Sequence, residues 1–419
     1  MKDHRVLYIT YDGILEPIAQ SQALNYIKGI GREGFKFYLM SFEKKAYINE
    51  LDYLSEVKSD LDHNNISWIR LKYHRWPKIF STFFDILAGI FVSLFICLKY
   101  KIRVIHARAE VAAFIAYVVS RLLGTRFIYD RRGVMAHDYI AGGMWTKTSP
   151  VTKILFKIVD SLDKKFLFKS DFTVVLTQRI AAFLKEDLLL RKREINLKVI
   201  PCCVDLQRFK PKQSNNPSVR ASVSNKEFVL IYTGSIGTWY LLEEMVDFFN
   251  ELKKVRMNAR LLIVTHSERD LVEETLKLKR MDNESFAIDL KRYQEMPGCL
   301  NSADAAIMFI KPVFSKIASC PTKFGEYLAC GLPVIVNTGI GDTRELIEKY
   351  RIGSVVDNFS AASYKKAVNE LLFLVDNDKG LRERCREVAG KNLSLEYGMQ
   401  SYLDIYKKLF DNSRGFGRG

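Results

Sequence analysis

Histidine is scarce in this chain, with six in 419 residues, and the seven cysteines are odd in number. Cys97, Cys202, Cys203, Cys299, Cys320, Cys330 and Cys385 show no paired CxxC spacing and no neighbouring histidines, which argues against a zinc site and for a reducing compartment. No strand end carries a DxD pair, so no metal is expected. A secretory leader is not expected either, because Arg5-Val-Leu-Tyr-Ile-Thr10 already reads as a buried strand. Long polar tracts are missing, which confines expected disorder to the tail Ser413–Gly419. The expected compartment is the cytoplasm.

What is present is apolar and basic. Nearly half of the residues are apolar (48%), enough to fill two cores, and the length suggests two domains. The formal charge of +16 is uneven: residues 1–200 hold 32 Lys+Arg against 20 Asp+Glu, an excess of 12. Such a half suits a polyanionic partner, nucleic acid or an anionic membrane surface, or it serves solubility alone.

Short β-branched runs alternate with longer helical patterns. The strands expected are Val6–Thr10, Phe37–Ser41, Val104–His106, Phe127–Tyr129 and Thr173–Leu176, then Phe228–Tyr232, Leu261–Val264, Ala305–Phe309 and Val334–Val336. This alternation predicts α/β architecture with parallel sheets and helices on both faces. Ile200-Pro-Cys-Cys-Val-Asp205 and the polar stretch Lys210 to Asn225 separate the two groups.

Ile79 to Leu98 has the length of a membrane span, but Asp85 lies inside it and the strand Ile102–His106 follows after a few basic residues. A core-packed helix or a membrane-docking helix fits better than a span. Its flanks carry Arg70, Lys72, Arg75, Lys78, Lys99, Lys101 and Arg103, which would favour anionic lipid.

Gly29-Ile-Gly31-Arg-Glu-Gly34 matches the dinucleotide pattern in letters, but it follows a helix and precedes a strand, the reverse of what the pyrophosphate requires. Tyr232-Thr-Gly234-Ser235-Ile-Gly237-Thr238-Trp has the correct order, strand then glycines then helix, and so does Val334-Ile-Val-Asn-Thr-Gly339-Ile-Gly341-Asp-Thr-Arg344-Glu345. Backbone amides and a helix N-terminus at such junctions attract phosphate, although ordinary strand-to-helix turns look much the same. The most specific string is Cys320-Pro-Thr-Lys323-Phe-Gly-Glu326-Tyr-Leu-Ala-Cys-Gly331-Leu-Pro-Val-Ile335. It opens a helix after proline, places a carboxylate in the first turns and ends at a C-cap glycine before a strand. A carboxylate there suits the two hydroxyls of a ribose.

That string resembles the donor-site helix of glycosyltransferase family 4, whose pattern ends Glu-(Tyr/Ala)-x-Ala-x-Gly-x-Pro-Val. Val199-Ile-Pro-Cys-Cys-Val-Asp205 with Phe209 resembles the interdomain segment of the same family. The order of elements matches from about Val6 to Tyr406. The resemblance implies a GT-B fold, two Rossmann-like domains facing an interdomain cleft. Residues 1–205 would bind acceptor, residues 206–395 would bind donor, and residues 396–419 would supply a helix crossing back to the first domain plus a flexible tail. It implies a retaining glycosyltransferase that moves a sugar from a nucleotide-diphosphate sugar to a lipid-linked or polysaccharide acceptor, of the bacterial cell-envelope or exopolysaccharide type. No cofactor beyond that co-substrate and no nucleic-acid partner is then expected. An anionic membrane surface remains a partner for the basic half, with a peripheral position on the inner face of the plasma membrane.

The chain departs from the family pattern in three places. Ala318 stands where a further glutamate is common, Ser235 and Trp239 or Tyr240 stand where many members carry Arg and Lys, and Asp130-Arg131-Arg132-Gly133 stands where many carry a histidine. These departures keep two other readings open, a non-catalytic nucleotide-sugar-binding scaffold and a nucleotide-sugar epimerase on the same fold. Lys323 and Arg344 are the expected substitutes for the missing cations. The donor set is therefore Gly234, Ser235, Gly237, Thr238, Lys323, Glu326, Gly339, Gly341 and Arg344. Asp130 and Arg132, with His106 and Arg108 on the preceding strand, form either a catalytic or acceptor cluster or a domain-spanning ion pair. Gly13, Gln20, Arg131 and His137 complete the expected acceptor side.

Overall fold

The computed structural model describes residues 4–76, 78–146, 148–187, 195–211, 227–265, 268–291 and 293–411. Most of the polar stretch ending at Asn225 and the tail Ser413–Gly419 lie outside the described residues. The chain divides into two compact units, one of Met1–Pro201 with Leu395–Gly419 and one of Cys202–Ser394.

Among the described residues unit 1 is built on seven strands: β1 (His4–Thr10), β2 (Phe35–Glu43), β3 (Ser67–Lys72), β4 (Val104–Arg108), β5 (Arg126–Asp130), β6 (Phe172–Val175) and β7 (Leu197–Val199). Their spatial order is β3-β2-β1-β4-β5-β6-β7, with every neighbouring pair parallel. The interior strands are buried on both faces, as the unbroken apolar run Val6–Ile9 and the fully buried β4 require of a helix-covered sheet. β3, at an edge, is half exposed and alternates. Helices α1 (Lys78–Tyr100), α2 (Ala109–Leu123) and α3 (Pro150–Lys169) pack side by side, α1 on α2 and α2 on α3. Ser149 and Pro150 open α3 in the order favoured at a helix start, and Gly124 ends α2 in the left-handed conformation. The glycine run 29–34 closes a helix, Asn25–Gly31, ahead of β2.

Among the described residues unit 2 has six strands: β8 (Phe228–Thr233), β9 (Ala259–Thr265), β10 (Phe286–Leu290), β11 (Ala305–Met308), β12 (Val334–Asn337) and β13 (Gly353–Val356). They order as β10-β9-β8-β11-β12-β13, again all parallel. Helices α4 (Leu242–Val255), α5 (Thr322–Ala329) and α6 (Thr343–Tyr350) follow β8, β11 and β12. The core fills both faces of the sheet, with Phe248, Phe249 and Phe309 on one side and Phe209, Tyr327 and Leu328 on the other. A last helix, α7 (Leu395–Asp411), belongs to unit 1.

In each sheet the chain starts in the middle, winds outward to one edge and then returns to the other side of its first strand. The order reverses between β1 and β4 in unit 1 and between β8 and β11 in unit 2. Beyond the carboxyl ends of those pairs the connections diverge and leave a crevice, the usual ligand position of an open α/β sheet.

Candidate functional sites

In unit 2 the crevice is walled by the loop after β8 and by the start of α5. Gly234 and Gly237 adopt φ of +112° and +88°, which only glycine takes without strain. Gly234 has a second reason to be glycine, since a Cβ there would lie 2.7 Å from Lys323 Nζ. Ser235 offers its carbonyl to the Tyr232 hydroxyl, and Thr238 has φ of +34° in the turn before Trp239 and Tyr240. Lys323, in the first turn of α5, is buried and donates to the Tyr232 hydroxyl at 3.1 Å, its Nζ 3.6 Å from the Tyr240 ring centre. Burial drives its pKa down to about 7, only partly offset by Glu326.

Glu326, one turn further along α5, accepts from the Tyr293 hydroxyl at 3.3 Å. Burial pushes its carboxyl up to about 7 against the opposing pull of Tyr293, Lys323 and Arg208. The Arg208 guanidinium lies 4.2 Å from the Tyr293 ring centre and so completes a small stack beside Glu326. Tyr327 turns inward and accepts from the Thr233 amide at 2.9 Å, tying α5 to the end of β8. The site therefore has a carboxyl group and an amine on one helix, both anchored by tyrosines.

The second junction contributes differently. Gly339 and Gly341 take φ of +90° and +42° between β12 and α6, and the Gly341 amide donates to the Lys316 carbonyl at 2.8 Å. Asn337 pins β12 to β11 through reciprocal 2.8 Å bonds with the backbone of Ile310. Arg344 is half exposed and bound to Glu348 at 2.8 Å and Asp357 at 2.9 Å, so its guanidinium is engaged with its own unit. Lys316, which the sequence reading did not single out, is buried with Nζ 3.5 Å from the Trp239 ring centre. Tyr293, Tyr240 and Arg208 were likewise missed as partners of α5. Their contacts with it span from 33 to more than 80 positions, and nothing local in the sequence signals them.

In unit 1 two guanidinium groups and a buried imidazole surround one buried carboxylate at the ends of β4 and β5. Asp130 lies 3.5 Å from His106 Nε2, 3.4 Å from Arg132 Nη1 and 3.9 Å from Arg108 Nη1. Burial opposes its ionisation, but Arg132, His106 and Arg108 more than offset this and hold the carboxyl well below the usual range. Burial lowers the pKa of His106, whose Nδ1 is 2.5 Å from the Tyr406 hydroxyl. Ala109, between Arg108 and the body of α2, has φ of +66°, a region alanine seldom occupies, right at the crevice edge.

Arg131 points away from this group. It forms a two-pronged pair with Asp163 at 3.0 and 2.8 Å, and the Tyr129 hydroxyl donates to the same carboxylate at 2.5 Å. His137 is half-buried with its ring edge-on to Phe156. Gly13 is fixed by Glu43: a Cβ would sit 2.6 Å from Glu43 Oε2, while Glu43 accepts from the Ile14 amide at 2.8 Å and from Ser41 at 2.6 Å. Gln20 donates to the Tyr53 hydroxyl at 2.5 Å. Among the described residues no group of three or more His, Cys, Asp and Glu side chains is gathered as metal ligands would be.

Residues 216–392 match the family model described as Glycosyl transferases group 1, which covers most of unit 2. No curated protein matches the sequence. The whole chain is similar in structure to sucrose-phosphate synthase from Thermosynechococcus elongatus (14% identity, TM-score 0.73, covering 98% of this chain and 100% of that one). It is also similar to a glycosyltransferase from Rickettsia africae ESF-5 (17% identity, TM-score 0.72, 98% and 100% covered). A third relative, HepE from Anabaena, was solved in complex with UDP and glucose (12% identity, TM-score 0.68, 96% and 99% covered). The fold is thus that of the GT-B glycosyltransferases, two Rossmann-like α/β units in one chain.

Proposed function

We propose that the protein is a glycosyltransferase that uses a nucleotide-diphosphate sugar. The observation that carries this reading is the pairing of Lys323 and Glu326 on α5, one turn apart, at the crevice edge of unit 2. Glu326 accepts the two ribose hydroxyls, and Lys323 faces the diphosphate across Gly234, where the missing side chain leaves room. Lys316 stands second to Lys323 as a cation for the leaving group, in place of Arg344, whose charge is met by Glu348 and Asp357. The UDP found with HepE supports a uridine nucleotide as the first donor to test.

The acceptor is a lipid-linked sugar or a polysaccharide in envelope or exopolysaccharide synthesis, handled at the cytoplasmic face of the plasma membrane. Transfer retains configuration at the anomeric carbon. The bond from that carbon to the β-phosphate oxygen breaks, a bond to the acceptor hydroxyl oxygen forms on the same face, and the hydroxyl proton passes to the departing phosphate. Lys323, as an ammonium, stabilises charge that grows on that phosphate in the transition state. In unit 1 the Asp130 group, with Arg108, Arg132 and His106, orients the acceptor at the edge of β4 and β5.

Incubation with a panel of nucleotide sugars, with nucleoside diphosphate release as the readout, tests the reading. Release from at least one donor, lost in Lys323→Met, is expected. Donor binding without release from any donor, acceptor lipids included, would make the chain a nucleotide-sugar-binding protein instead. Absence of binding to every donor would remove the assignment altogether.

A further inference from the structure

Helix α1 is apolar on the face it turns outward, while Ser81, Asp85 and Ser93 are turned inward. Its inward face carries Ser81, Asp85 and Ser93 beside Ile96 and Cys97, all buried, together with Gly89, which sits so close to Ile115 and Phe42 that a Cβ would lie 2.6 Å from the former. Asp85 is 1% exposed, accepts from the Tyr11 hydroxyl at 3.0 Å and pairs with His74 at 2.6 Å. Ser93 donates to the Met40 sulfur. The outward face is Phe80, Phe84, Leu87, Phe91, Phe95 and Leu98, spaced by three and four residues so that they form one stripe. Phe80, Phe91 and Phe95 are 75, 70 and 62% exposed. A helix resting on a core and facing water has the opposite arrangement, apolar inside and polar outside.

The surroundings continue the pattern. Trp76, just before the helix, is exposed, and α3, on the other flank of α2, exposes Val151, Ile154 and Ile158. No acidic side chain interrupts the α1 stripe, since Asp85 points inward. Its ends are instead bordered by exposed Lys72, Arg75, Lys99, Lys101 and Arg103. An apolar stripe of this extent with a basic border matches the interior edge and the headgroups of an anionic monolayer in turn.

We propose that the outer face of α1 is a docking surface for an anionic lipid monolayer, on which unit 1 lies with α1 parallel to the membrane plane. The helix is long and apolar enough to cross a bilayer. Crossing would strip Asp85 from Tyr11 and His74 and pull Gly89 off Ile115, whereas lying flat keeps every inward contact. Phe91 and Phe95 then enter the acyl region, and Lys99, whose Nζ is 5.4 Å from the Phe95 ring centre, reaches back to the phosphates. The inference is independent of the donor chemistry, because it rests on the surface of unit 1 alone.

Sedimentation of the full chain with vesicles of phosphatidylcholine and phosphatidylglycerol, against phosphatidylcholine alone, tests it. The wild type is expected to pellet with the anionic vesicles at low salt and to be released as salt is raised. The double variant Phe91→Glu, Phe95→Glu alters exposed side chains only, so its circular dichroism and melting should match the wild type while its bound fraction falls at least tenfold. Lys99→Glu with Lys101→Glu, as an independent pair, should lose the preference for anionic lipid. A wild type that stays in the supernatant, or a double variant that binds as the wild type does, overturns the proposal. So does a concentration-dependent dimer that the double variant abolishes, which would give the stripe to a second copy of the chain.

Discussion

Lys323 and Glu326 are driven toward neutrality from opposite sides by the same burial, and both titrate near 7. The consequences for donor binding have opposite signs. A diphosphate favours the ammonium, so binding takes up a proton above the free-state value of Lys323 and affinity falls as pH rises past about 7. Ribose hydroxyls favour the carboxylate, so binding releases a proton below the free-state value of Glu326 and affinity falls as pH drops below about 7. Calorimetric titration with UDP-glucose, whose diphosphate does not itself titrate in this range, should therefore give an affinity maximum near neutrality. Lys323→Met should abolish the alkaline limb and Glu326→Gln the acidic limb, and limbs that persist in both variants would place the titration elsewhere. At its optimum, Glu326→Gln should weaken the donor by about 1.5–3 kcal/mol, the worth of a hydrogen bond to a charged group. Both residues were legible in the sequence because the helix that carries them is punctuated locally, by Pro321 before it and Gly331 after it. The aromatic sleeve was not, for Tyr232, Tyr240 and Tyr293 reach α5 only through the folding of the whole sheet. Arg344 shows the same limit: its position at a phosphate-like junction is local, but its commitment to Asp357 depends on β13.

Among elements, the interior strands were readable and the edges were not. β1, β2, β4, β5 and β8 are buried over most of their length, so their sequences are built around apolar runs such as residues 6–9, 37–40 and 228–232, although β4 also buries His106 and Arg108 and β5 buries Asp130. β3, β7 and β10 are half exposed, and Ser-Trp-Ile-Arg-Leu-Lys or Leu-Lys-Val carries too little apolar signal to stand out. β13 is buried but only four residues long and opens with Gly353, whose φ of +155° brings its backbone against Val334. For α1 the composition marked an unusual helix, yet which face turned inward was settled by tertiary contacts, Asp85 with Tyr11 and Gly89 with Ile115. That packing can be tested directly. Gly89→Val adds atoms where Ile115 Cδ1 and Phe42 Cζ already stand 2.6 and 3.1 Å from the first of them, and overpacking of this kind costs roughly 1–3 kcal/mol. Thermal unfolding should show the loss in unit 1, whereas a melt identical to the wild type would mean that α1 is not seated as described.

At the scale of the molecule, sequence order and structural membership part company at the C-terminus. The chain leaves unit 2 beside the point where it entered: the Val204 amide donates to the Leu393 carbonyl at 2.7 Å, and Arg386 bonds the carbonyls of Leu206 and Ala329, each at 2.7 Å. From Leu395 onward it belongs to unit 1, where α7 buries Tyr402, Tyr406, Leu409 and Phe410. Tyr402 meets Tyr26 at 5.4 Å, Tyr406 meets Phe35 at 5.5 Å and Phe410 meets His4 at 4.8 Å between ring centres. Tyr406 also holds the His106 ring, so the buried face of the last helix and the Asp130 group are mechanically one. A residue more than 200 positions from Pro201 thus supports the first unit's core, while the residues just before it in sequence support the second. Tyr406→Ala in the full chain should destabilise unit 1 by about 3–5 kcal/mol, the range for emptying a buried aromatic site. A loss of that size is a large part of the stability of an ordinary domain. Hydrogen exchange resolves where it falls: amides of β1, β2 and β4 should lose protection, while those of β8, β11 and β12 keep theirs. Loss of protection in the unit 2 strands, or none in unit 1, would show that α7 does not carry this load.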